Sequence, residues 1–199
     1  QTMAVMGLGK SGLATARALK AGGAHVIAWD DSADRRNAVA QEGIEVADLA
    51  DADWNDIDYL VLSPGIPHTY PKPHPVASQA RANDCPIIGD VALLAPAAPG
   101  ARYIGITGTN GKSTTTSLLG HLLKETGRRA AVGGNLGTPT LEFEAMDADG
   151  FYVIEMSSFQ LELTGPVPFE IAVLLNITPD HLERHGGMPG YIAAKRRIF

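Results

Sequence analysis

Short apolar runs recur along the chain, each ended by glycine, proline or a polar cluster, and between several of them apolar residues return at helical spacing. The run ending at Met6 predicts a strand that passes through a glycine turn into a helix from about Gly12 to Ala21. Gly22 and Gly23 stop that helix, and Ala24 to Trp29 reads as the next strand. Strand, helix, strand is the order that joins parallel strands, because the chain needs the length of a helix to return to the same end of a sheet. Tyr59 to Leu62 is a further strand, running into Ser63-Pro64-Gly65, and a helix is expected to begin at Pro75, where a missing N–H is harmless. The second half restarts the pattern. Tyr103 to Thr107 is β-prone, and Leu118, Leu119, Leu122 and Leu123 are expected to share the buried face of the helix that follows. Strands are expected near Ala130 to Val132, Phe151 to Glu155 and Ile171 to Leu175, with a last helix from about Pro189.

Between the halves, the Pro/Ala stretch Ala95 to Ala101 suits a semi-rigid linker, so the boundary is expected there, with one domain over residues 1–95 and another over 96–199. Both halves predict α/β architecture with a parallel sheet, and no internal repeat relates them. The chain starts without methionine and ends at Phe199 inside its last predicted helix, so a fragment at both ends is expected.

Composition narrows the classes. With 199 residues, 45% of them hydrophobic, the chain can bury a core, and its net charge of -6 argues against a nucleic-acid binder. The acid is concentrated: residues 30 to 58 hold ten Asp or Glu against Arg35 and Arg36, the composition of a solvated helix face and loops. Cys85 is the sole cysteine, which excludes an intrachain disulfide, and without a leader a cytoplasmic location is expected. No run reaches the ~18 apolar residues of a membrane span.

The strongest chemical signal is Gly105 to Ser113, a glycine-rich turn between a predicted strand and a predicted helix. Backbone N–H groups and the helix dipole there meet phosphate oxygens, with Lys112 reaching the β/γ-phosphates and the Ser113 hydroxyl on Mg²⁺. Ile106 stands where the usual pattern puts its first glycine. A second glycine turn, Gly7-Leu8-Gly9-Lys10-Ser11-Gly12, has the G-x-G-x-x-G spacing after a strand, with Asp30 ending the next strand. By itself it suggests a dinucleotide with Asp30 on a ribose hydroxyl, but a glycine turn at a helix N terminus accepts any pyrophosphate, a uridine diphospho-sugar included. Ser63-Pro64-Gly65 lines the same crevice or is a plain turn.

Glu155 ends a predicted buried strand, where a carboxylate in a parallel sheet is placed to hold Mg²⁺ directly or through water. Asn176 to His185 gathers polar groups in one loop, either as a helix cap from Thr178 or Asp180 or with His181 as a metal ligand. Gly133-Gly134-Asn135 reads equally as a turn or as backbone approaching a ligand, and Lys195-Arg196-Arg197 as a solvated helix face. His25, His68, His74 and His121 have no context that singles them out.

Together these residues resemble the Mur ligases of peptidoglycan synthesis, along the whole chain. Thr107-Gly108-Thr109-Asn110-Gly111-Lys112-Ser113 is similar to the family's phosphate loop, and Glu155 to Glu162 is similar to the member that adds D-glutamate. The resemblance implies a Rossmann-like first domain for the uridine diphosphate, with Gly9, Lys10, Ser11, Asp30, Ser63, Pro64 and Gly65 as contacts. It implies a P-loop NTPase-like central domain, truncated here, with a further amino-acid-binding domain beyond Phe199. Gly108, Thr109, Asn110, Gly111, Lys112, Ser113 and Thr114 would bind ATP, and Asn135, Ser157 and Gln160 would line the muramoyl-alanine end. Lys112, Glu155, His181 and Lys195 would be catalytic, with Mg²⁺ on Ser113, Glu155, His181 and a carbamoylated Lys195. A carbamate supplies the hard oxygen donor that a protonated amine, of ordinary pKa about 10.4, cannot. The implied reaction is ATP-dependent amide ligation of D-glutamate to UDP-N-acetylmuramoyl-L-alanine by a monomer. Two alternatives stay open: a related ligase taking another amino acid such as L-glutamate, and a nucleotide-sensing module binding NAD and ATP.

Overall fold

The computed structural model describes residues 1–135, 137–165 and 167–199, which divide into two compact units, Gln1–Asp90 and Val91–Phe199. The first unit holds β1 (Thr2–Met6), α1 (Lys10–Ala21), β2 (His25–Trp29), α2 (Ala33–Gln41), β3 (Glu45–Val46), β4 (Tyr59–Leu62), α3 (Pro75–Ala82) and β5 (Ile87–Ile88). Its five strands form a parallel sheet in the order β3-β2-β1-β4-β5. From β1 the chain first adds strands on one side and then, at β4, on the other. The strand order therefore reverses between β1 and β4, and a crevice opens at their carboxyl ends. Met3, Ala4, Val5 and Met6 are all buried, as are Leu60, Val61 and Leu62, because both faces of a parallel sheet are covered.

The division falls within the first turn of α4 (Asp90–Ala97), ahead of the stretch expected to be a linker. Ala95, Pro96 and Ala97 are helical, although proline in a helix interior costs about 3 kcal/mol. Val91, Leu94 and Ala98, spaced to share one face, are buried in the core of the second unit with Tyr103, Tyr152 and Ile154, and this burial outweighs the proline.

The second unit continues with β6 (Arg102–Thr107), α5 (Lys112–Glu125), β7 (Arg129–Gly134), β8 (Gly150–Glu155), α6 (Ser158–Leu163), β9 (Phe169–Leu174), α7 (Leu182–His185) and α8 (Met188–Arg196). Its parallel sheet has the order β7-β8-β6-β9, so the loop after β6 is flanked by the carboxyl ends of β8 and β9. The α5 expectation is corrected: Leu119 and Leu123 pack on the sheet, but Leu118 and Leu122 are 54% and 51% exposed. Thr116 and Gly120 take the buried row instead. A Cβ on Gly120 would lie 2.1 Å from Val132 Cγ2, so the helix seats directly on β7 there and turns the other leucine pair outward. The last helix ends at Arg196, with Arg197 as its C-cap, short of Phe199.

Candidate functional site

In the first unit the crevice between β1 and β4 is a cleft of ≈ 440 Å³ lined by Gly7, Gly9, Asp30, Arg35, Ser63 and Gly65, among others. Gly7 has φ +90, and a Cβ on Gly12 would stand 1.8 Å from the Gly7 carbonyl oxygen, so the turn closes against α1 only with glycine at both positions. Gly9 is the N-cap of α1 without a side-chain cap, which leaves the first N–H groups of the helix for an anion. Of the residues expected here, Gly9, Asp30, Ser63 and Gly65 line this cleft, whereas Ser11 and Pro64 line a pinhole of ≈ 10 Å³ behind the loop. Lys10 opens α1 and is exposed.

Two of these side chains serve the loop itself. Asp30 Oδ2 accepts from Leu8 N at 2.6 Å and Oδ1 from Ser32 N at 2.8 Å, with Arg35 Nη1 3.3 Å from Oδ2. Burial pushes its carboxyl pKa up, but the bonds from Ser32, Leu8 and Arg35 together outweigh burial and hold it below the ordinary value. Ser63 Oγ donates to the Gly7 carbonyl at 2.9 Å. Asp30 lines the cleft expected to hold the nucleotide, and its carboxylate also braces the glycine turn, because the turn's amide is the nearest donor.

A second cleft of ≈ 530 Å³ lies among Thr2, His25, Glu45, Asp48, Asp51 and Asp53. It sits at the amino ends of the strands and is lined with carboxylates, which repel phosphate, so the smaller cleft is the better nucleotide site.

In the second unit Gly108 (φ +152) and Gly111 (φ +83) give the phosphate loop its shape, and Gly111 caps α5 with no side-chain bond to its free N–H groups. Lys112 Nζ donates to the Thr109 carbonyl at 2.9 Å, and Ser113 and Thr114 are exposed on the first turn. The loop is held from the β9 side by a device the sequence did not reveal. Asn176 Oδ1 accepts from Asn110 N and Asn176 Nδ2 donates to the Asn110 carbonyl, both at 3.0 Å, while Thr109 N donates to the Asn176 carbonyl at 3.0 Å. Thr109 Oγ1 is 2.9 Å from the Tyr191 hydroxyl and accepts from Thr178 N at 3.0 Å.

Glu155 is 1% exposed. Its Oε1 accepts from Asn135 Nδ2 at 2.7 Å, and its Oε2 is buried with no partner among the described residues. An acceptor left bare in that way costs about 1–3 kcal/mol unless a cation or a donor reaches it, which suits a divalent metal. No group of three His, Cys, Asp or Glu among the described residues converges on a metal position, so the set needs donors of another kind. His181, at φ 49 the N-cap of α7, is half exposed beside Asp180 (3.6 Å).

Lys195 corrects the solvated-face reading: it is 1% exposed, while Arg196 and Arg197 face solvent. Its Nζ donates to the Gly108 carbonyl at 2.8 Å and lies 4.8 Å from the Tyr191 ring. Burial, with Lys112 nearby, lowers its pKa to about 8 against the pull of Asp180. Ser157 and Gln160 form a reciprocal capping box at the start of α6. Gln160 is buried, and its Oε1 accepts from Ser157 N at 3.0 Å to close the turn.

The Mur ligase middle domain matches residues 106–199, and the NAD-binding domain of D-isomer specific 2-hydroxyacid dehydrogenases matches residues 1–70. The chain is 59% identical, over 98% of its length, to the UDP-N-acetylmuramoylalanine--D-glutamate ligase of Paramagnetospirillum magneticum. It is 55% identical, over its full length, to the enzyme of that name from Rhodospirillum rubrum. It spans 43% of the length of both relatives. Among solved structures it superposes on UDP-N-acetylmuramate:L-alanyl-gamma-D-glutamyl-meso-diaminopimelate ligase from Neisseria meningitides with TM-score 0.61 at 18% identity, covering 100% of this chain and 67% of that one. The UDP-N-acetylmuramate-alanine ligase MurC from Thermotoga maritima gives TM-score 0.56 at 21% identity, covering 100% of this chain and 46% of that one. These two likenesses bear on the fold. The match of the middle domain to the half that carries the phosphate loop, together with that identity along nearly the whole chain, places the protein in the Mur ligase family.

Proposed function

We propose that the protein is the ATP-dependent ligase that joins D-glutamate to UDP-N-acetylmuramoyl-L-alanine in the cytoplasm. The observation that carries the reading is the uncapped N terminus of α5, set beside a buried Glu155 oxygen without a partner among the described residues, in a chain 59% identical to a D-glutamate ligase. The substrate's alanyl carboxylate attacks the γ-phosphorus of ATP, the bond to the bridging oxygen breaks, and ADP leaves an acyl phosphate. The amine of D-glutamate then attacks the acyl carbon and expels inorganic phosphate as it loses a proton.

Phosphoryl transfer asks mainly for positioning and charge neutralisation. Gly108 to Thr114 would hold the phosphates on backbone N–H groups, with Lys112 swinging from the Thr109 carbonyl to the β/γ-oxygens. Ser113, Glu155, His181 and carbamoylated Lys195 are the residues that would hold Mg²⁺, which supplies charge neutralisation on the transferred phosphoryl group. A buried Lys195 amine with pKa about 8 supports the carbamate, since only the neutral amine adds CO₂. At pH 7 about a tenth of such amines are neutral, roughly 200-fold more than at the ordinary lysine pKa. Gly9, Lys10, Ser11, Ser63, Pro64 and Gly65 form the proposed surroundings of the uridine diphosphate, with Asp30 as the brace of the turn. Ser157 and Asn135 are proposed for the muramoyl-alanine end.

The test is phosphate release by the complete gene product with ATP, Mg²⁺ and UDP-N-acetylmuramoyl-L-alanine, adding D-glutamate, L-glutamate, meso-diaminopimelate or L-lysine in turn. Release dependent on D-glutamate is expected. Release with another amino acid alone would move the protein within its family, and none with any of them would overturn the ligase reading.

A further inference from the structure

Resting on the ligase reading, we infer that His185 is a positioning residue, a staple that ties the start of α6 to α8 and so sets Ser157 against the phosphate loop. None of the motifs calls for it. Its ring is buried, with Nδ1 2.8 Å from Glu162 Oε1 and Nε2 2.9 Å from Ser158 Oγ. A carboxylate only accepts, so Nδ1 carries the proton, and in the neutral ring Nε2 accepts from the Ser158 hydroxyl. One imidazole thus grips α6 at its first residue and again one turn later.

The need for that grip follows from length. Six residues form less than two turns, and helices of that size do not hold themselves in water. The reciprocal hydrogen bonds of the capping box lie within the turn around Ser157, so the orientation of α6 has to come from tertiary contacts. His185 supplies them on several sides. Its ring stacks on Phe159 (centroids 5.3 Å apart, planes at 17°) and leans on Tyr191 at 5.4 Å. Tyr191 in turn reaches Thr109 of the phosphate loop through its hydroxyl, and Phe159 lies 5.2 Å from the His181 ring. The backbone is locked as well. A Cβ on Gly190 would stand 1.8 Å from the His185 carbonyl oxygen, so α8, which carries Lys195, packs hard against this residue.

Serine, histidine and glutamate in this order match the hydrogen bonding of a hydrolytic triad, but Ser158 is 4% exposed and sits inside the helix, so no substrate carbonyl can reach it. The geometry serves alignment. A displacement of ~1 Å between reacting groups can cost about 100-fold in rate, which is the scale on which a loosened α6 would register.

The experiment compares wild type, His185→Phe, His185→Gln and Ser158→Ala in the complete gene product. His185→Phe keeps the stacked ring and loses both hydrogen bonds, and His185→Gln restores a partner for Ser158. The expected result is a kcat lowered about tenfold or more by His185→Phe. The KM for ATP should stay within about twofold, His185→Gln should recover part of the rate, and Ser158→Ala should add little to His185→Phe in the double variant. A folded His185→Phe with unchanged kcat overturns the inference, as does a rate loss that moves only with melting temperature and that His185→Gln does not relieve. If His185→Phe does not fold, Ser158→Ala alone carries the comparison. If wild type ligates nothing, the ligase reading fails separately, and amide hydrogen exchange decides the staple: faster exchange at Met156 to Leu161 with α5 unchanged supports it, and equal exchange overturns it.

Discussion

Lys112 and Asp30 carry the predictions at the scale of single residues. Lys112 opens α5 behind Gly111, and its amine rests on the Thr109 carbonyl. Lys112→Ala removes the charge that meets the β/γ-phosphates, and turnover is expected to fall by about 1000-fold with the fold intact, read by phosphate release and circular dichroism. Asp30 carries a pH prediction. Its carboxyl is held below its ordinary value of 3.8, so its contribution to stability is complete above that pH and disappears as pH falls through the lower, folded-state value. Urea unfolding of wild type and Asp30→Asn should differ by about 1–3 kcal/mol from pH 8 to 5, with the gap narrowing below about pH 4. A gap that widened on acidification would reverse the assignment. The backbone-directed role of Asp30 was not legible in the sequence, because a carboxylate at a strand end has the same neighbours in sequence whether it meets a ribose or the turn's own N–H. Lys195 was similarly hidden: beside Arg196 and Arg197 it reads as one of three solvated cations, and only the packing of α8 against α6 and α7, with the amine turned to the Gly108 carbonyl, buries one of them.

Glycine decides how closely elements approach, and two positions separate the cases. On Gly12 a Cβ would meet the Gly7 carbonyl oxygen at 1.8 Å, a backbone atom with no rotamer to escape into. On Gly120 it would meet the tip of Val132 at 2.1 Å, and a side chain can turn away. Alanine also gains about 1 kcal/mol over glycine in a helix interior, which offsets part of the crowding at Gly120. Gly12→Ala is therefore expected to destabilise by at least ~2 kcal/mol more than Gly120→Ala, measured by denaturant unfolding. Equal effects would show that α1 moves as freely as a side chain. Elements with their own periodicity, such as the strands at Met6, Leu62 and Glu155, stand close to their expected places. The two-residue strands at Glu45 and Ile87 carry no pattern of their own and exist through their neighbours' hydrogen bonds. In α2 only Val39 is buried, too little for helical periodicity to stand out.

For the whole molecule the open choice lies between the nucleotides the first unit accepts. Residues 1–70 match an NAD-binding domain, whereas the relatives are named for a UDP-sugar substrate. A ligand that binds only the folded chain at 100 times its Kd adds about 2.7 kcal/mol. UDP-N-acetylmuramoyl-L-alanine is expected to raise the melting temperature, and NAD at the same concentration to leave it unchanged, as the names of the relatives imply. A shift with NAD that the UDP-sugar could not displace would favour the nucleotide-sensing reading. Among the described residues no helix is long and apolar enough to cross a membrane.

What the sequence by itself determined were the local decisions: where strands alternate with helices, where glycine must bend the chain, and which loop has the residue types for phosphate. Such choices depend on side-chain periodicity and backbone sterics within a few residues. Tertiary structure decided which polar groups are spent on the protein itself. The clamp of Asn176 on Asn110, the brace from Asp30 to Leu8, the burial of Lys195 and the grip of His185 on α6 join residues 22 to 88 positions apart or bury charge between elements. Those pairings arise only once two sheets have ordered their strands, because a hydrogen bond is set by distances in space that no spacing along the chain contains.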